Sequence, residues 1–166
     1  MKPLVERSQH LLDNARFMTL ATSDGASPWA STVNFVALRA PLRLLFYSLR
    51  SARHSRHVER HPVVSGSIYM TGLPGFGLDG AQFTGFCQTV DRDSLTEYHR
   101  LYYELNFPDD AIRREWLLPK EEFHGNGPRR FYVVEVRQWW LLDIDRWLQD
   151  KHDQRIAVPV RALAAP

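Results

Sequence analysis

At 166 residues, 44% hydrophobic and 12% aromatic, the chain has the composition of a folded domain that can bury a core without metal or disulfide support. A formal net charge of +2 is too small to indicate a nucleic-acid partner. The lone cysteine, Cys87, excludes an internal disulfide and points to a reducing, cytoplasmic setting.

The opening run MKPLVERSQHLLDNAR is interrupted by Glu6 and Asp13, so neither a signal peptide nor a membrane span is expected. Leu4, Val5, Leu11, Leu12 and Ala15 share a helical face, which predicts an amphipathic helix over 3–15. Strand patterning follows at 17–22, with turn chemistry at Ser23-Asp24-Gly25. A second strand is expected over 29–37, with Trp29, Val33 and Phe35 on one side and Ala30, Thr32 and Asn34 on the other. After a turn at Ala40-Pro41, LRLLFYS predicts a third strand over 42–48.

Residues 51–61 suit a short helix with Ser51 as N-cap, stopped by Pro62. Strands are expected at 63–69 and 81–90, joined through a glycine-rich loop over 70–80. Ser94 and Glu97 have capping-box spacing ahead of a helix carrying Leu95, Tyr98, Leu101, Tyr102 and Leu105. Pro108 ends that helix and AIRREWLL starts another. Phe131–Val136 and Trp139–Ile144 are two further strand-like runs, the first giving a strand over 130–136. Short antiparallel strands joined by hairpins, without a crossover helix after each, predict a mainly β, α+β barrel and no parallel doubly wound sheet. A single domain over 1–166 is expected, since no linker or repeat interrupts it.

Gly75-Phe76-Gly77-Leu78-Asp79-Gly80 matches GxGxxG literally. A strand pattern follows it, whereas dinucleotide binding needs a helix whose N-terminus meets the pyrophosphate. GxSxG and HExxH are absent, leaving hydrolase chemistry without an anchor. Cys87, on an alternating strand, suits a packed small residue better than a nucleophile.

The basic stretch from Arg50 to His61 is the most informative segment. Tyr47 and Ser48 end a strand, and a helix opens at Ser51. Hydroxyls, unpaired N–H groups and Arg53 would converge there on an anion such as phosphate. A solvated cationic face is the alternative. A metal site of His54, His57 and His61 is disfavoured by neighbouring arginines and by the lack of a fitting carboxylate or cysteine. Trp139 and Trp140 suit core or dimer packing, the commoner use of such aromatics, or stacking on a flat cofactor ring.

With MTLATSDG, SPWASTVNF, FYSLRSARHSRHVERHPVVSGSIY and GAQFTGFCQTV in this order, the chain resembles the pyridoxamine 5′-phosphate oxidase-like, FMN-binding split-barrel superfamily. ELNFP and FYVVEV are similar to a branch of small uncharacterised bacterial proteins, and the likeness spans about 3–144. The resemblance implies an antiparallel six-stranded split β-barrel with flanking helices, working as a homodimer with cofactor sites at the subunit interface. It implies FMN phosphate on Ser48, Arg53 and His54, with Tyr47 beside them and the backbone of Ser31, Thr32 and Val33 along the flavin. The chain departs from the oxidases in four places. Ser31 and Val36 stand where they have arginine and lysine, and their cofactor glutamine aligns with Gly80, leaving Gln82 offset by two. Their terminal His-Asp-Arg motif is echoed only by His152-Asp153-Gln154-Arg155, which argues against pyridoxamine phosphate as substrate.

The expected function is therefore an FMN-dependent oxidoreductase acting on a small molecule or electron donor, with Ser31, Thr32, Val33, Tyr47, Ser48, Ser51, Arg53, His54, Gln82 and Trp140 as its cofactor residues. In that chemistry the flavin carries the hydride or electrons, so no side chain is expected to act as acid, base or nucleophile. The alternatives are a non-enzymatic binder of haem or another flat ligand, served by His54, His57 and the tryptophans, and a structural dimer with an empty cleft.

Overall fold

The computed structural model describes residues 3–72 and 79–164. In chain order it contains α1 (Leu4–Asn14), β1 (Phe17–Ser23), β2 (Pro28–Asn34), β3 (Val36–Leu38), β4 (Arg43–Leu49), α2 (Arg53–Arg60), β5 (Val63–Met70) and β6 (Asp79–Thr89). Then follow α3 (Leu95–Asn106), α4 (Asp110–Trp116), β7 (Arg129–Leu142), α5 (Ile144–Asp150) and β8 (Arg155–Ala157). Most of the glycine-rich loop, from Leu73 to Leu78, lies outside the described residues, while its last two residues, Asp79 and Gly80, open β6.

All pairings are antiparallel, in the order β2-β1-β5-β6-β7-β4-β3, with β8 added on β7. Only Phe35 separates β2 from β3, so the two ends of this order are one stretch of chain and the sheet curls back on itself as a split barrel. Here the expected single strand over 29–37 is corrected. Phe35 leaves the ladder, its N–H donating to Arg16 O at 3.1 Å, and the chain changes partner from β1 to β4. Asn34 holds the switch in place: its amide donates to Arg16 O and its Oδ1 accepts from Tyr102 Oη of α3 at 2.7 Å.

A second correction concerns the last strands, which are one 14-residue β7. The register with β6 shifts between Thr84 and Gly85, leaving Arg137 without an opposite number and bending the strand as bulges do. Capping differs as well. Ala52 holds the N-cap position of α2 with no side-chain cap, so Ser51 stands one residue outside it. Ser94 caps nothing with its side chain; its own N–H donates to Asp91 Oδ1. The buried face of α3 is Leu95, His99, Tyr102, Tyr103 and Asn106, so Leu105 points to solvent.

The barrel interior is filled by Leu20, Phe46, Ile68, Phe83, Val134 and Leu141 with their neighbours. A second cluster, Leu45, Tyr102, Tyr103, Phe123 and Phe131, packs α3 on the outer side of β3, β4 and β7. No described helix is long and apolar enough to cross a membrane.

Candidate cofactor site

Alternation decides which strand residues can reach a ligand. On β4, Leu44 and Phe46 point into the barrel, so Ser48 does too, while Leu45 and Tyr47 face the α3 side. On β2, Ser31 pairs with buried Leu20 of β1 and faces inward, as do Trp29 and Val33. Ser31 and Ser48 therefore flank the split, where β2 has left β4.

Helix α2 covers that end. Its strong amphipathicity turns His54, Ser55, His57 and Val58 inward and Arg53, Arg56, Glu59 and Arg60 outward. Ser55 Oγ donates to Leu49 O at 2.8 Å, tying the helix start to the end of β4, and Val58 joins the barrel core.

The consequence is a hydrogen-bonded bridge across the split. His54 Nδ1 lies 3.0 Å from Ser31 Oγ and Nε2 lies 2.8 Å from Ser48 Oγ. One turn on, His57 Nδ1 meets Thr22 Oγ1 of β1 at 3.1 Å, a pair the sequence did not suggest. Arg53 stands outside with its guanidinium 4.6 Å from the centre of the exposed Trp29 ring. Burial lowers the pKa of His54, and neighbouring His57 lowers it further. The first amides of α2 have no side-chain cap. Two hydroxyls, an imidazole and an uncapped helix start meet at the split, with the Arg53 guanidinium just outside it, donor chemistry of the kind that suits a phosphate group.

Other expected residues lie elsewhere. Tyr47 packs edge-on against Tyr102, Phe123 and Phe131 in the outer cluster. Val33 is buried in the barrel core and Thr32 is exposed on the outer face. Ser51 is exposed just before α2. Trp139 is core, its Nε1 donating to Ser8 Oγ of α1 at 3.0 Å, whereas Trp140 faces out. Cys87 is fully buried, and burial pushes its thiol up to about 12, which leaves it inert.

Gln82 and Trp140 meet in an open groove of about 500 Å³ on the outer face of β1, β5, β6 and β7. The registers place Thr32, Thr19, Ser67, Gln82 and Trp140 in one cross-strand row, and Ala30, Ala21, Ser65, Thr84 and Gln138 in the next. Gly66 forms part of the floor, where a Cβ would come within 2.4 Å of Phe83 Cζ and 2.5 Å of Thr19 O. Arg155 of β8 closes one side. The hydroxyl rows were missed as a site, although alternation on β1, β5 and β6 already assigned them to one face. Exposed Phe17 and Tyr69 lie beyond one edge of these rows, Val63 and Phe86 beyond the other.

The pyridoxamine 5′-phosphate oxidase family model matches residues 4–143, most of the chain. The chain belongs to this family. Among curated proteins none matches it in sequence. In structure it is similar to a haem-binding protein from Mycobacterium smegmatis (TM-score 0.70, 15% identity), covering 99% of this chain and 61% of that one. This family member thus spans less than two thirds of that relative. It is also similar to an FAD-binding protein from Mesorhizobium loti (TM-score 0.63, 15% identity, 83% and 92% covered). A third is the haem storage protein from Vibrio cholerae (TM-score 0.56, 19% identity, 82% and 92% covered). At such identities the likeness is one of fold.

Proposed function

We propose that the chain is a flavin-binding protein that takes FMN and works as an FMN-dependent oxidoreductase on a small organic molecule or electron donor. The observation that carries this reading is the convergence of Ser31, Ser48 and His54, from three elements, on the split of the barrel, with Arg53 just outside it over Trp29. Serine hydroxyls and Arg53 would hold the phosphate, and the uncapped start of α2 would face it. When bound, the flavin supplies the hydride or electron chemistry, while the chain binds, orients and shields it.

Within one protomer, Gln82 and Trp140 sit in the outer groove and not at the bridge. An isologous dimer on the outer sheet face, burying Phe17, Val63, Tyr69 and Phe86, would bring the groove of one protomer toward the split of its partner. Haem binding is the second reading, favoured by the names of two structural neighbours. Against it, His54 has both ring nitrogens engaged by serines.

The absorption spectrum of the purified protein separates the readings: flavin bands, a Soret band, or neither. Titrating FMN beside riboflavin then isolates the phosphate. Tighter binding of FMN is expected, and equal affinities would sink the anion site. Sedimentation at micromolar concentration should give a dimer mass; a clean monomer that holds its cofactor would rule the dimer out.

A further inference from the structure

Building on the reading of the split as an anion site, we infer that His54 is a proton-linked clasp, so that an anion enters between Ser31 and Ser48 together with one proton.

A neutral imidazole has one N–H donor and one bare nitrogen that can only accept. Both nitrogens of His54 are within bonding distance of a serine hydroxyl. In either tautomer, one serine accepts from the ring and the other must donate its single O–H to it. That hydroxyl proton is consumed inside the bridge. An imidazolium donates from both nitrogens, so both serines accept and both O–H groups are released. Protonation therefore adds a positive charge and raises the free hydroxyl donors in the gap from one to two. An anion needs donors alone, and the protonated bridge is the state that supplies them.

The surroundings favour the neutral state until an anion arrives. Burial of the ring and the neighbouring His57 both oppose its charging. Arg50, Arg53 and Arg56, before and along the same helix, add positive charge, and Glu59, the one carboxylate of α2, is exposed. From β2 and β4 the ring meets Ser31, Ser48 and the Phe46 ring, none of them charged. On the β1 side, Thr22 bonds His57, and Asp24 of the following turn acts on His57. From β7, Tyr132 packs on Phe46, and Arg130 adds positive charge beside Arg50. A bound anion would be the first negative charge inside the split.

By linkage, anion affinity then rises as pH falls, by at most about tenfold per pH unit between the free and bound pKa values. The test is calorimetric titration of FMN and riboflavin into the full chain from pH 5.5 to 8.5, in buffers of different ionisation enthalpy. Wild type is compared with His54→Gln, whose amide can still donate to one serine and accept from the other but cannot take a proton. Wild type should take up about one proton more per FMN than the variant, and its FMN affinity should fall about three- to tenfold more steeply per pH unit near neutrality. Comparison with the variant removes the ionisation of the FMN phosphate itself, and riboflavin should show no difference. Independently of the variant, inorganic phosphate should raise the pKa of His54 followed by NMR in wild type. Equal proton uptake in both proteins, or a His54 pKa that phosphate leaves unmoved, would overturn the clasp while tighter binding of FMN than riboflavin keeps the anion site. FMN binding no tighter than riboflavin at any pH would remove both.

Discussion

The split of the barrel and the groove on its outer face each hold some of the expected cofactor residues, and they are built differently. At the split, Ser31, Ser48 and His54 are drawn from β2, β4 and α2, shielded by a helix, and bonded to each other. In the groove, Thr19, Ser67, Gln82 and Trp140 stand side by side on neighbouring strands and face the open. One region is organised and enclosed; the other is an open surface. On the proposed reading, the split would take the anionic end of a ligand and the groove of the partner protomer its flat end.

The largest expected effect tests the groove as architecture. Gly66→Ala would drive a methyl into Phe83 and the Thr19 carbonyl, so a loss of about 2–3 kcal/mol in denaturant unfolding is expected. A neutral result would mean that the floor is softer than its packing implies.

Arg53→Ala tests the split. Its guanidinium is exposed over Trp29 and fills no core, so the fold should survive while FMN affinity drops roughly ten- to a hundredfold, about 1.5–3 kcal/mol. Riboflavin affinity should stay put, and a parallel loss for both ligands would move Arg53 out of the phosphate's reach.

Trp140→Ala sharpens the contrast from the other side. Loss of the stacking surface should weaken FMN and riboflavin alike, by about 1 kcal/mol, because the ring term is common to both. A loss confined to FMN would put Trp140 near the phosphate instead. Ser48→Ala should cost about 1 kcal/mol for FMN alone, one neutral donor's worth.

The smallest effect is on stability against pH. His54 and His99 both have pKa values lowered chiefly by burial, so the unfolded chain binds more protons than the folded one below about pH 6.5. Their contribution is fully present above that pH and is lost as pH falls through the window down to the folded values. Chemical denaturation from pH 7.5 to 5 should show falling stability, and His54→Gln should shallow the slope; a flat profile would contradict the burial of both rings.

Element positions were largely legible because period and punctuation are local properties. The strands at 17–22, 42–48, 63–69 and 81–90 came from alternation bounded by turn residues, α1 from helical spacing, and α2 from its flanking Ser51 and Pro62. The misplaced boundaries have tertiary causes. Nothing local in STVNFVAL announces that Phe35 abandons the ladder, since that depends on Arg16 and Tyr102 lying across it. Nor does the bulge at Arg137, opposite Thr84 and Gly85, show in either strand alone, and without it the two C-terminal runs look separate.

What the sequence determined by itself was the alphabet of the site: hydroxyl, imidazole and guanidinium ahead of and within a short helix, and the alternation that sends Ser48 inward with Phe46. What only the tertiary structure decided was who meets whom. Ser31 and His54 are 23 residues apart and join only because β2 leaves β4 at the split and α2 covers the opening. Tyr47, beside Ser48 in sequence, is sent to the opposite side of the same strand and into an aromatic cluster. Neighbours along a strand point to opposite faces, while closing the barrel makes neighbours of residues the chain keeps apart.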